Sequence, residues 1–247
     1  MSANNTTIRP YRPGDRQAVR DICAATCWMG DSRPDAIGDD WTWAEYWTRY
    51  FTDAEPQHTW VAESAEGQVC GYLTGTTDIR RFQRYMPRLL PGIGWRVLRR
   101  RLMRRRKPRR ALLNLAASAL RGEMDPPPGV ARRFPATWHF NLLPDARGKG
   151  LGSRLFDTFR RCVVAAGVPG IHAQILSVNA AAVSFARKKG FALAARRRTG
   201  AFRHVQRGPM DIETWVLALS GAPSLRHYGL VEAARRPDNI RCATDRS

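Results

Sequence analysis

Within the six residues 147–152, Arg147, Gly148, Lys149, Gly150, Leu151 and Gly152, three glycines alternate with basic and apolar side chains, and Ser153 follows. The run is preceded by an apolar, aromatic-rich stretch (Trp138, Phe140, Leu142, Leu143) that reads as a strand closed by Pro144 and Asp145. It is followed by a helical pattern over residues 151–164. Glycines at this density let the chain turn tightly with its N–H groups uncovered, and the helix aims its unpaired first-turn N–H groups and its positive dipole end at the same place. That chemistry suits a pyrophosphate. A nucleotide-binding Walker loop would need Lys-Ser or Lys-Thr after its last glycine, and Ser153-Arg154 stands there instead; the glycines also miss the G-x-G-x-x-G spacing of a dinucleotide loop. What remains is R-x-x-G-x-G, formed by Arg147, Gly150 and Gly152, against a plain glycine-rich connection with no ligand. His139, on the strand itself, is a side chain whose ordinary pKa suits proton transfer at neutral pH.

The next segments favour a ligand. Gly167, Pro169 and Gly170 make a turn, residues 171–176 read as a strand, and Asn179 opens a short helix with Ala182, Val183, Phe185 and Ala186 near one face and Gly190 as its stop. Taken together, the R-x-x-G-x-G turn after a strand and the Asn-led helix ending in Gly190-Phe191 resemble the acyl-CoA-binding segments of the GNAT superfamily of N-acetyltransferases. The resemblance covers most of residues 7–219, most closely 137–191. It implies an α/β (α+β) fold, a mixed twisted central sheet of six to seven strands flanked by helices, here carrying a basic helical insertion. It implies acetyl-CoA as co-substrate, a primary amine as acceptor, and no metal. Backbone N–H groups from Arg147 through Gly148, Lys149, Gly150, Leu151 and Gly152 to Ser153 would take the pyrophosphate. Phe140, Asn141, Leu142 and Leu143 would pair with the pantetheine arm, with Asn179 and Phe185 beside it.

The run from Phe134-Pro135-Ala136 through His139 to Leu143-Pro144 is similar to a strand in acetyltransferase-like domains related to the C-terminal domain of O-GlcNAc hydrolases, a group with both acetyl-CoA binders and silent members. His139 matches that group's His and is the candidate general base, whereas Asn141 stands where the group often has a carboxylate. The superfamily's tyrosine, the acid for the departing thiolate, is replaced by Ala186; Ser184 and Ser177 are the nearby hydroxyls that could substitute. Glu63, Asp78, His172, His204 and Glu213 are other titratable groups near strand ends.

Ahead of these segments, residues 8–11 read as a first strand, Asp15 as the cap of a helix containing Val19, Ile22 and Cys23, and residues 40–51 as a helix rich in aromatics. That aromatic stripe has two readings, core packing and an acceptor-site wall. Residues 59–63 and 69–76 form a hairpin, with Gly71 and Gly75 marking a bulge or a close approach. Residues 193–198 and 212–219 complete the sheet, and residues 220–247 are a tail with one helical turn near Leu230. The expected organisation is a single domain over 1–219 with an insertion at 79–135.

The net charge of +20 resides mainly in that insertion, where 17 Arg or Lys face only Glu123 and Asp125. Pro87, Pro91 and Pro108 divide it into at least three helical pieces, the middle one spanning 95–107, and residues 124–129 read as an exposed linker. Such an arginine-rich stretch suits a solvated or substrate-facing lid, or a face for an anionic partner: a membrane surface, nucleic acid or an acidic protein. The five cysteines have no metal or disulfide spacing, and with no long apolar run or secretory leader the expected location is cytoplasmic. Two rivals to the enzyme reading stand: a catalytically silent acyl-CoA-binding module, and a polyanion-binding adaptor acting through the insertion.

Overall fold

Alternation of apolar and polar residues, punctuated by glycine and proline, sets down seven strands: Thr7–Pro10 (β1), Thr59–Glu63 (β2), Val69–Thr76 (β3), Ala136–Leu142 (β4), Gly170–Leu176 (β5), Ala192–Arg198 (β6) and Asp211–Ala218 (β7). In this computed structural model, which describes residues 6–31, 39–206 and 208–219, they make one sheet in the order β1-β2-β3-β4-β5-β7-β6. Every neighbouring pair is antiparallel except β4 and β5. The expected mixed sheet flanked by helices is therefore the fold. The tail at 220–247, with Cys242 and the turn near Leu230, lies outside the described residues, as do the first five.

One face is covered by the helices Arg16–Ala25 (α1) and Asp40–Asp53 (α2), which pack Val19, Ile22, Cys23 and Ala44 onto Val61 and Tyr72. The other is covered by Leu151–Ala165 (α7), whose Leu155, Phe156, Phe159 and Val163 recur at helical spacing and are fully buried. Each such side chain contributes roughly 1.5–3 kcal/mol relative to exposure. Ala180–Lys188 (α8) adds Ala186 to the same core. Both glycines of β3 are close approaches, since a Cβ on Gly71 would strike Leu142 and one on Gly75 would strike Phe159. A bulge is present too: pairing passes from Ala62–Gly71 to Glu63–Val69 and skips Cys70.

Asp15 differs from expectation. It makes no side-chain cap of α1; its carboxylate takes the Arg12 N–H at 2.7 Å and both guanidinium arms of Arg9 at 2.7 and 2.9 Å. Cys27 also lies past the end of α1, in a separate cluster with Trp28, Phe202 and Met210.

The insertion folds as Ile79–Tyr85 (α3), Leu90–Arg99 (α4), Arg106–Leu120 (α5) and Pro128–Arg133 (α6). The expected middle helix over 95–107 is broken at Arg101, which adopts φ 49° and feeds a 3-10 turn. Pro108 breaks nothing, because it falls in the first turn of α5, where its missing N–H would be unpaired anyway. Nor is 124–129 wholly an exposed linker: Pro126 is buried, and Met124 packs on the Trp28–Phe202 cluster. Two carboxylates fasten the insertion. Asp39 caps α2 through the Thr42 N–H and grips Arg96 of α4 at 2.6 and 3.0 Å. Glu123 accepts from Ser118 at 2.6 Å and from the Gly200 N–H at 2.8 Å, joining the end of α5 to the loop after β6.

Candidate active site

The site is set by where β4 and β5 part. They pair only at Ala136–Ile171 and Thr137–His172, so from Trp138 onward one edge of β4 has no strand partner among the described residues, while its other edge stays paired with β3 to Leu142. At the far end of β4 the chain makes a 3-10 turn and enters α7 through Gly150, held at φ 75°, with Gly148 at φ 72°. A Cβ at either glycine would meet no atom within 4 Å, so the turn leading to the unpaired first-turn N–H groups of α7 is uncrowded on its Cβ side. An amide-bearing arm in the cleft with a phosphate at the helix start fits this cradle, as acetyl-CoA would require.

The loop residues divide their tasks differently from the sequence expectation. The Arg147 N–H is already engaged by Pro144 O at 3.1 Å, and the Arg147 guanidinium binds Leu142 O and Gly30 O and lies 3.7 Å from Asp31. Arg147 thus positions the turn between α1 and α2 and does not offer itself to a phosphate. Leu143 is likewise withdrawn, since its N–H donates to Cys70 O at 2.9 Å and its carbonyl accepts from Ala146. Leu151 is core, and Gly152 lies where a Cβ would press on Phe140 at 3.2 Å. Gly148, Lys149 and Gly150 stand at the helix entrance, and the backbone N–H groups of Leu151, Gly152 and Ser153 make up the first turn of α7. Phe140 and Phe185 are ring neighbours, 5.2 Å apart, in a cluster with Trp138 and Phe156 under the cleft. Asn179 caps α8 by accepting the Ala182 N–H at 3.1 Å and also borders the cavity.

That cavity, about 370 Å³, lies on the α2 side of the cleft. Trp43, Tyr46, Trp47 and Phe51 from α2 form one wall, so the aromatic stripe does line a cavity; Trp28 and Phe202 extend it, with Phe202 at 6.1 Å from Trp43. The insertion supplies another wall through Phe82, Gln83, Met124, Asp125 and Pro126. His139, Asn141 and Gln174 are polar groups on the strand side. Alternation along β4 explains the division, because Trp138, Phe140 and Leu142 pack with the α7 core while His139 and Asn141 face Tyr72 on the other side.

His139 is held on three sides. Its ring stacks on Trp47 at 5.3 Å, its Nδ1 is 3.4 Å from the Tyr72 hydroxyl, and its carbonyl accepts from Thr74. Burial pushes its pKa down to about 4, leaving the ring neutral at physiological pH. The Tyr72 hydroxyl also takes the Asn141 side-chain N–H at 3.1 Å and bonds to Cys23, whose thiol burial pushes up to about 12.

The other candidates are engaged elsewhere. Ser184 is exposed on α8 and is not among the residues lining the cavity, and Ser177 accepts the Asp211 N–H. Ala186 is wholly buried in the core. Glu63 pairs with Arg9, Asp78 caps α3, His172 donates from Nδ1 to Phe134 O, His204 meets Asn114, and Glu213 binds Arg196 and the Trp215 indole. Sequence reasoning missed Gln174, Trp28, Phe202, Phe82 and Asp125. Gln174 comes from β5 and the others from loops and the insertion, and no local spacing marks them.

With its mixed sheet parted at the one parallel pair, above a helix opened by glycine, the chain has the fold of the GCN5-related N-acetyltransferases. It is similar to the crystal structure of SsHAT, with 29% identity and a TM-score of 0.68 over 87% of this chain and 98% of that one. It is similar at the level of fold to a GCN5-related N-acetyltransferase from Kribbella flavida, with 18% identity and a TM-score of 0.53 over 88% of this chain and 100% of that one. A polyamine N-acetyltransferase from Drosophila melanogaster gives 16% identity and a TM-score of 0.58 over 87% of this chain and 100% of that one. No protein-family model matches the sequence.

Proposed function

We propose that this protein is an acetyl-CoA-dependent N-acetyltransferase whose acceptor is a primary amine carried on a flat, largely apolar body. The observation that carries the reading is the parting of β4 from β5 after Thr137, with a glycine-opened helix start at one end and an aromatic cavity containing neutral His139 beside it. Acetyl-CoA supplies the activated acyl group as a thioester. The backbone N–H groups from Gly148 to Ser153 would hold its phosphates and the free edge of β4 its amide-bearing arm.

The hydrogen-bond pattern favours one tautomer of His139. The Tyr72 hydroxyl accepts from Asn141 and can give its own proton to Cys23, so its remaining lone pair accepts Nδ1–H of His139 and Nε2 is left as the base. The amine nitrogen attacks the thioester carbonyl carbon; as the C–N bond forms, its proton becomes acidic enough for Nε2 to take, and the C–S bond then breaks. The thiolate leaves without a protein acid, since Ala186 has no proton to give, and is protonated by water.

The acceptor class follows from the wall. Trp43, Tyr46 and Trp47 line the cavity with aromatic surface suited to an apolar or cationic body, and Asp125 is the only carboxylate among the described lining residues. A polycation would call for several. The test is to follow acetyl-CoA binding by calorimetry and thiol release with a panel of amines. Arylalkylamines are expected to be turned over faster than spermidine or agmatine; the reverse order would overturn the acceptor assignment. The second reading, a silent acyl-CoA-binding module, is favoured by Ala186 and by Asn141 in place of a carboxylate, and binding with no thiol release from any amine would support it.

A further inference from the structure

We propose that α4 and the arginine run after it dock this protein on an anionic membrane surface. Helix α4 buries no residue, and its two faces differ sharply. Trp95 and Leu98, three residues apart, share one side and are 64% and 70% exposed, and Leu90 at the helix start is 62% exposed. On the opposite side Ile93, Arg96 and Val97 are half-buried. That inner side is clamped: Arg96 holds Asp39 and lies over Trp41 at 4.3 Å from the ring centre. The apolar face therefore cannot roll inward, and it stays in water unless something covers it.

Charge defines what covers it. From Arg99 to Arg110 nine basic side chains are exposed, with no acid among them, and Met103 is exposed in their midst. Three large apolar side chains facing outward beside a dense cationic run match the two components of interfacial binding, insertion among acyl chains and attraction to anionic headgroups. Trp95 is of the type that settles at the headgroup boundary. A nucleic acid would engage the arginines and leave Leu90 and Leu98 in water. None of the helices in the described residues is long and apolar enough to cross a membrane, so the contact is with the surface.

The experiment is flotation of the full chain with phosphatidylcholine vesicles, with and without phosphatidylglycerol. The chain should float only with the anionic vesicles. Changing Arg99, Arg100 and Arg101 to Glu should weaken binding by about fivefold or more per residue. The pair Trp95→Asp and Leu98→Asp, which keeps every arginine, should weaken it by at least about tenfold. Unchanged thermal melting and acetyl-CoA binding in both variants would show that the fold persists. Failure of the native chain to float, or full retention by the Trp95/Leu98 variant with release by duplex DNA, would overturn the proposal; the latter would point to nucleic acid. Because the readout is flotation, failure here is distinct from failure of the acetyltransferase reading.

Discussion

At His139 burial and reactivity meet. The same burial that pushes its pKa down to about 4 keeps the ring unprotonated, so no acid limb near pH 6.5 should appear in kcat/KM; the rate should instead rise with pH as the acceptor amine loses its proton. An inflection near 6.5 in an initial-rate profile would contradict this. Replacing His139 by Ala should lower kcat by about 100-fold while leaving acetyl-CoA affinity near its native value; equal losses would mark a structural residue. Ala186 gives a second test at this scale. Its side chain is wholly buried, so Ala186→Tyr should overpack the core and cost about 1–3 kcal/mol in denaturant unfolding without raising turnover. The place of His139 in the cavity wall was legible from strand alternation, a local property, but its pKa was not, because burial lowers it from the near-neutral value expected of the residue. The exposed position of Ser184, away from the residues lining the cavity, was not legible, because distance along α8 says nothing of which side of the cleft a face meets.

The elements that frame the cleft depend on two local devices. Gly150 stands at φ 75° as the entry to α7, and Gly150→Val should strain the backbone by about 1–2 kcal/mol and weaken acetyl-CoA binding measurably by calorimetry. Glu123 joins α5 to the loop after β6, and although burial works to raise its pKa, its bonds from Arg121, Ser118 and the Gly200 N–H bring it down to about 2. Its contribution is fully present above its ordinary pKa and is lost as pH falls toward 2. Glu123→Ala should lower unfolding stability by about 2 kcal/mol and loosen the Met124–Pro126 wall, raising the acceptor KM. The strands and α7 were legible from glycine, proline and period-two patterning. The insertion's break at Arg101 was not: no glycine or proline stands there, and the kink answers to the clamp on Arg96 and the burial of Leu102.

Across the whole molecule, acid should act through buried neutral histidines. His172, almost fully buried and pushed down to about 4, takes up its proton at about 6.5 when the chain unfolds, so stability is full above that pH and falls as pH drops from 6.5 to 4. The loss is on the order of 3 kcal/mol for this group, checked by urea unfolding at successive pH values. The mixed sheet flanked by helices followed from the sequence through the superfamily resemblance, whereas the order of its strands did not. The cavity walls did not, because Phe202, Gln174 and Asp125 converge from segments far apart in the chain and only tertiary packing brings them to one surface.

Only two residue pairs join β4 to β5, so the sheet is two leaves on a short hinge: β1 to β4 on one side, β5, β7 and β6 on the other. A ligand lying along the open edge would act as the pin between them. Amides of β5 and β7 should then exchange with solvent by a cheaper opening than those of β2 and β3 in the free protein, and acetyl-CoA should close that gap as well as raise the melting temperature. Stability in this protein would in that way report the metabolic supply of the acyl donor.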